Sequence, residues 1–288
     1  MEPRRKRWLV TALALGLVGA VAASGAIVAG AATLSGDSHP TAVAAKWTLP
    51  PTTGFVDYQL GGSYTPPVGV TVVARDASSV PAKDVYSICY LNGFQTQPAD
   101  RKWWLKKHKS LVLFRKGKPV IDQNWPDELI LNTSTKSKRK AIAKIMAVKI
   151  KNCAKKGFDA VEFDNLDTFT RSKGKLSAGN NRELAKLYAK TAHTAGLAVG
   201  QKNTAEYATS WKKKVGFDFA VAEECYRWDE CKAYTSVYGT AVIDIEYADD
   251  LRGTFADACA AKSSPDLMVL RDRDLVTPKN RDYVFEHC

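Results

Sequence analysis

The 288-residue sequence predicts an α/β fold, a TIM-like (β/α)8 barrel with room for one extra strand. Three observations predict it. Short β-type runs alternate with stretches of helical period. The order strand, helix, glycine, strand recurs, which is the grammar of a parallel sheet with crossover helices. Several strand candidates also end at or just before a carboxylate, and active sites of such barrels gather at the C-terminal strand ends. With 45% hydrophobic and 25% charged residues the chain can fill a core, which excludes long disorder, a collagen and a coiled coil.

At the N-terminus, Arg4, Arg5, Lys6 and Arg7 precede an apolar run from Trp8 to Leu34, with small-residue sites such as Ala29-Gly30-Ala31. Residues 1–35 therefore read as an export signal, with an uncleaved membrane anchor as the alternative because the run is long. Residues 36–51 are a linker in character, and 52–288 form a single barrel domain. The expected location is secreted, or anchored to the outer face of the cell membrane. Contact with a membrane is expected only if the anchor stays.

Cysteine usage points the same way. Cys89, Cys153, Cys225, Cys231, Cys259 and Cys288 are even in number, with no Cys-x-x-Cys, and the four histidines sit at no ligand spacing. Disulfides are expected and no metal site. Cys225 and Cys231 are close enough to shut a small loop, and Cys259 with Cys288 ties down the tail. Cys89–Cys153 follows by elimination.

Along the domain, strands are expected at Phe55–Leu60, Val70–Arg75, Tyr86–Leu91, Glu128–Asn132, Phe158–Asp164, Leu197–Lys202, Phe217–Glu223, Ala241–Glu246 and Leu267–Arg271. That is one too many for eight, and the first two or the last are the suspects for the extra. Ile142, Ile145, Met146, Lys149, Ile150 and Cys153 recur at helical spacing, and Gly157 ends that helix. Leu184, Leu187, Tyr188, Thr191 and Ala195 repeat the pattern up to Gly196.

The net charge is +12, and Lys136 to Lys156 holds nine basic residues and no acid. The apolar stripe of that helix faces inward, so the charge lies on a solvated face. An exported chain without a nucleic-acid motif is not expected to bind nucleic acid. Two other readings compete with an enzyme: a non-catalytic carbohydrate-binding barrel, and a basic adhesive protein acting through this helix.

The acids are placed differently. Asp57, Asp76, Asp164, Glu223, Glu224, Glu246 and Asp272 cluster at strand ends, more than helix capping requires. Alternation in Phe158–Asp164 turns Val161 and Phe163 outward and Ala160, Glu162 and Asp164 inward. In Leu197–Lys202 it turns Lys202 inward, where it can neutralise Glu162 or Asp164. Outward Ile243 and Ile245 would leave Asp244 and Glu246 inward. Two carboxylates facing each other across a mouth suit cleavage of a glycosidic bond, one as nucleophile or base and one as acid. Asp164 is the first choice. Glu223, Glu224 and Glu246 compete as its partner, and strict alternation favours Glu224.

Several segments together resemble family 114 of the glycoside hydrolases, the endo-α-1,4-polygalactosaminidases. They are Ile88-Cys89-Tyr90, Gly157 to Asn165, Ala192 to Asn203, Phe217 to Cys225, Ile245-Glu246-Tyr247 and Leu270 to Arg273, in family order. The resemblance implies a TIM-like barrel that hydrolyses α-1,4-linked galactosamine-containing polysaccharide. No cofactor is expected, and the chain is expected to be a monomer. The resemblance settles the partner as Glu223. By analogy with related barrel α-glycosidases it implies Asp164 as nucleophile and Glu223 as acid/base in a retaining reaction. Glu224 and Glu246 would then raise the pKa of Glu223. Expected substrate contacts are Tyr58, Asp76, Tyr90, Asn165, Asp167, Lys202, Asn203, Glu224, Tyr226, Glu246 and Tyr247. Departures from the family pattern at Phe163, Ala222, Glu224, Thr204 and Ile130-Leu131-Asn132 imply that substrate contacts have shifted.

Overall fold

A computed structural model describes residues 47–288. The expected export signal and most of the linker lie outside the described residues. Eight parallel strands run β1 (Phe55–Gln59), β2 (Val70–Asp76), β3 (Tyr86–Asn92), β6 (Ala160–Asp164), β7 (Ala198–Lys202), β8 (Phe219–Glu223), β9 (Val242–Tyr247) and β10 (Leu267–Arg271), neighbour to neighbour in that order. A short hairpin, β4 (Phe114–Arg115) with β5 (Lys118–Pro119), stands apart from the sheet. The helices are α1 (Arg101–Lys107), α2 (Lys136–Lys156), α3 (Thr168–Arg171), α4 (Ala178–Thr194), α5 (Ala208–Val215), α6 (Cys231–Tyr238) and α7 (Phe255–Ala260). A ninth strand, β11 (Phe285–His287), adds antiparallel to β10.

The surplus candidate is Glu128–Asn132, not the first two strands or the last. Leu129, Ile130 and Leu131 make only isolated antiparallel bridges to Ile121, Gln95 and Val112, outside the barrel. α2 ends at Gly157, which takes φ 92°, as the sequence predicts, and its start is capped by Thr135, which accepts from the Lys138 amide. Among the described residues, no helix is long and apolar enough to cross a membrane.

One apolar cluster draws residues from all eight parallel strands and is therefore the barrel interior: Val56, Tyr58, Ile88, Ala160, Ala198, Phe219, Val221, Ile243, Ile245 and Tyr247 are among them. The second layer packs Val161, Phe163, Val199, Ala220 and Ala222 against the helices. The expected phases of β6 and β7 hold, and those of β8 and β9 are reversed. Ile243 and Ile245 face in, while Asp244 and Glu246 face the helix side.

Large and small side chains interleave inside. Gly200 on β7 pairs in register with Phe219 on β8, and a Cβ at Gly200 would sit 2.8 Å from ring carbons of Phe219. Phe219 is wholly buried and has nowhere to swing. Gly200→Ala is expected to cost about 1–3 kcal/mol, the usual range for overpacking. Urea unfolding checks this, and adding Phe219→Leu should recover part of the loss; an unchanged midpoint for Gly200→Ala would refute the packing account.

β1 and β11 end the hydrogen-bonded order, so the ladder does not close. Arg271, wholly buried on β10, bridges the seam to β1. Its Nη1 donates to Asp57 Oδ1 at 2.9 Å and to the Tyr58 carbonyl, and its Nε and Nη2 donate to the carbonyls of Val284 and Val276. Asp57 and Asp272 thus serve the seam and the tail; Asp272 accepts the Val276 and Val284 amides. Three disulfides tie the outer layer, pairing Cys89–Cys153, Cys225–Cys231 and Cys259–Cys288. The first anchors α2 to β3 and the last fixes the chain end beside α7.

Candidate active site

Parallel strands deliver their C-terminal tips to one mouth. Inward residues at the tips of β3, β6, β7, β8 and β9 meet there: Tyr90, Asp164, Lys202, Glu223 and Tyr247. Lys202, buried to 1% exposure, is the hub. Its Nζ donates to Glu223 Oε2 at 2.7 Å and lies 3.7 Å from Asp164 Oδ2. The Tyr90 hydroxyl donates to Asp164 Oδ2 at 2.8 Å, and the Tyr247 hydroxyl donates to Glu223 Oε1 at 2.6 Å. Asn203 clasps Glu223 twice, Nδ2 donating to Oε2 and Oδ1 accepting the Glu223 amide. Asn203 (φ 49°) and Glu224 (φ 61°) turn left-handed straight after β7 and β8, which ends each ladder at its tip.

Beneath them, Tyr58 and Glu162 form the floor. Both are wholly buried, and neither the Tyr58 hydroxyl nor either Glu162 oxygen has a hydrogen-bond partner. Burial pushes the Glu162 carboxyl up to about 8, against the pull of Lys202, so it is neutral at pH 7. Asp164 is also raised, first by burial and further by the charge of Glu223, with Lys202 opposing. Glu223 goes the other way. Burial would raise it, but Lys202, Tyr247 and Asn203 together hold it down at about 2. The raised Glu223 expected from the sequence is therefore not found. Glu246 lies outside the barrel, and the carboxylate of Glu224 is bound by Arg273 at 2.7 Å.

Of the residues the sequence singles out, Tyr58, Tyr90, Asp164, Lys202, Asn203, Glu223 and Tyr247 come together. Asn165 follows at the β6 tip with a buried Oδ1 that has no partner. The others have different work. Asp76 accepts the Ser78 amide at 2.8 Å and caps the turn after β2. Asp167 binds Arg171. Glu246 accepts the backbone amides of Tyr226 and Arg227, and the ring of Tyr226 lies under Arg252. Among the described residues, Cys225, Cys231 and Asp244 lie within metal-ligand distance of one another, but both cysteines are consumed by their disulfide.

Sequence reasoning missed Glu128. Its Oε2 accepts from Asn92 Nδ2 at 2.7 Å and Gln95 Nε2 at 2.8 Å, and Asn92 pairs in register with Asp164. It opens a run that reads as a strand, and its partners are remote in sequence, so no local signal marks it. Exposed Trp125 and Trp228, on the loops around Glu128 and after Glu223, were likewise without a local signal.

The model of glycoside-hydrolase family GH114 matches residues 36–288. Among solved structures, Aspergillus fumigatus Ega3 in complex with galactosamine is similar with TM-score 0.64 and 22% identity, covering 85% of this chain and 98% of that one. The glycoside hydrolase domain of PelA from Pseudomonas aeruginosa is similar with TM-score 0.52 and 17% identity, covering 81% of this chain and 98% of that one. A single-residue variant of that domain gives TM-score 0.54 and 16% identity, covering the same 81% and 98%. These likenesses establish the shared barrel. No curated protein matches the sequence.

Proposed function

The chain belongs to glycoside-hydrolase family GH114, and from that premise we propose that it is an exported hydrolase cleaving α-1,4-linked galactosamine-containing polysaccharide with Asp164 and Glu223. The observation that carries the reading is the Asp164–Lys202–Glu223 constellation at the barrel mouth. The galactosamine bound to the similar Ega3 supports the substrate class. Three disulfides suit an oxidising compartment. Exposed faces of Trp125 and Trp228 suit stacking against sugar rings.

The reaction proposed is retaining. An Asp164 oxygen attacks the anomeric carbon, the glycosidic bond breaks, and the leaving oxygen takes a proton from Glu223. Glu223 then takes a proton from water, whose oxygen displaces Asp164. Lys202 Nζ touches both groups, so the separation of Asp164 Oδ2 and Glu223 Oε2 cannot exceed 3.7 and 2.7 Å laid end to end. One ammonium spanning both carboxylates supports the shorter spacing of retaining enzymes over the roughly 6.5–9.5 Å of inverting ones. In the free protein Glu223 is the ionised member and Asp164 the more readily protonated one. The first step is therefore a redistribution: the leaving oxygen takes the place of Lys202 at Glu223, Lys202 closes on Asp164, and Glu223, freed of the ammonium, takes up its proton from solvent.

Reducing-end release from α-1,4-linked galactosamine and N-acetylgalactosamine oligomers tests the reading. Turnover of either is expected; binding without release from both would make the barrel a carbohydrate-binding protein.

A further inference from the structure

The positive charge of the chain is gathered in one stretch. Residues 101–156 hold 17 basic residues and 3 acids, a balance of +14, so the rest of a chain whose net charge is +12 is acidic by 2. Along α2, exposed Lys136, Lys140, Lys144, Lys151 and Lys155 follow one another at helical spacing and form a single stripe, with Val148, 61% exposed, in its one gap. Residues four apart along such a stripe are about 6 Å apart. Among the described residues none of these five lysines has an acidic partner, whereas Lys149 beside them is bound to Asp100 at 2.6 Å. That bond, and the shared apolar cluster of Trp104 and Leu111 with Ile142 and Met146, seat α1 against α2. α1 adds exposed Lys102, Lys106 and Lys107 and the half-exposed ring of Trp103.

At the N-terminal end of the stripe lies a groove of about 510 Å³, lined by Lys109, Ser110, Val112, Phe114, Asn132 and Lys138, with no acid among them. Asn132 accepts from the Ser134 amide and hydroxyl through Oδ1, and its Nδ2 has no partner among the described residues. The groove therefore offers two ammonium groups and a free amide donor, a set that suits an anion.

We propose that this face docks the enzyme on an acidic polysaccharide, a linear chain carrying carboxylate or phosphate on its sugar units, laid along α2 with one charged unit in the groove. The choice of partner rests on the proposed hydrolase reading. A free-amine galactosamine chain is itself a polycation, so this face repels it and is no extension of the mouth. A material built of such chains must hold anions to be neutral, and an anionic chain within it complements the face. Lysines are point charges on flexible stems, which suits a row of charges more than one planar group. A straight stripe matches a chain better than the flat area of a bilayer, and the ring of Trp103 offers a sugar ring a surface to stack on. The mouth then takes the cationic chain while the α2 side holds its anionic companion.

Fluorescence anisotropy of a labelled oligogalacturonate with the full chain tests the docking. Binding is expected, and it should weaken as salt rises, because exposed charges are screened beyond about 10 Å at 0.1 M. Lys140→Gln, Lys144→Gln and Lys151→Gln together should lower affinity by about tenfold or more. Replacing exposed Lys213, Lys262 and Lys279 by Gln removes the same charge elsewhere and should change affinity by about twofold at most. Both triple variants should turn over a soluble galactosamine oligomer as the parent does. No binding, or equal loss in the two variants, would overturn the proposal. Stronger competition by an oligonucleotide of matched charge, or by phosphatidylglycerol vesicles, would overturn it too, because the face would then belong to a nucleic acid or a bilayer. If the unaltered protein cleaves no galactosamine oligomer, the hydrolase reading fails, and the anisotropy still decides whether this face holds an acidic chain.

Discussion

Asp164→Asn and Glu223→Gln should each lower kcat by on the order of 10³–10⁴-fold while leaving the fold and oligomer binding largely intact. The two losses have different origins. Asp164→Asn removes the nucleophile but leaves Lys202 bonded to Glu223, so the resting charge balance is nearly unchanged. Glu223→Gln removes the nearest anion of Lys202, and Asp164, 3.7 Å away, becomes its partner. Asp164 should then be ionised at lower pH than in the parent. Glu224→Gln should lose far less, because its carboxylate is tied to Arg273 at the rim and touches neither partner. A slow 5-fluoro glycosyl fluoride of the substrate sugar should become bonded to Asp164, located by peptide mass. Label on Glu223 would reverse the roles, and an inverted anomer in the product would remove the covalent mechanism altogether. Should Glu224→Gln be inactive while Glu223→Gln works, the pair itself has been misplaced by one residue.

Much of this was legible in the sequence, and the failures share a cause. All eight parallel strands are among the nine candidates, because each is an apolar run followed by a helix or turn signal. Glu128–Asn132 has the same apolar look, yet its pairing is to scattered loop residues that no local pattern reveals. Phe285–His287 was missed because two of its three residues are exposed and it pairs only through β10. The inward face was readable where a long charged side chain marks it, as with Lys202 on β7. It was unreadable on β8 and β9, since barrel strands are buried on both faces and apolarity does not tell one from the other. On β9 two acids are buried on the helix side, where amides of Cys225, Tyr226 and Arg227, from a different segment, bond one oxygen of each. The ionisation of the pair failed for a related reason. Which carboxylate Lys202 selects depends on a reach of about one ångström, and spacing along the chain carries no such information.

That selection makes Lys202→Met the second large effect. Lys202 is surrounded by Glu223, Asp164 and Glu162, and the charges of Asp164 and Glu223 above all raise its own pKa despite burial. Methionine fills similar volume without charge, and three buried carboxyl groups then share no cation. Breaking a buried ion pair on one side commonly costs about 3–5 kcal/mol, and less where the stranded acids can take up protons. The sign follows from Glu223. Its pKa in the folded protein, about 2, lies below the ordinary carboxylate value, so its contribution is fully present above that ordinary value and is lost as pH falls toward 2. Lys202→Met removes the cause, so the stability deficit should be largest at neutral pH and shrink as the solution is acidified from about pH 4.5 downward. For turnover, loss of the cation raises Asp164 further, and the acid limb of the kcat/KM profile should move to higher pH, with kcat down by on the order of 10²-fold or more. Lys202→Arg keeps the charge and should restore the limb better than the rate, because a planar guanidinium does not place its donors where one ammonium reaches both acids. An acid limb unmoved in Lys202→Met would mean that Asp164 does not depend on Lys202, and the redistribution of charge proposed for the first step would have no agent.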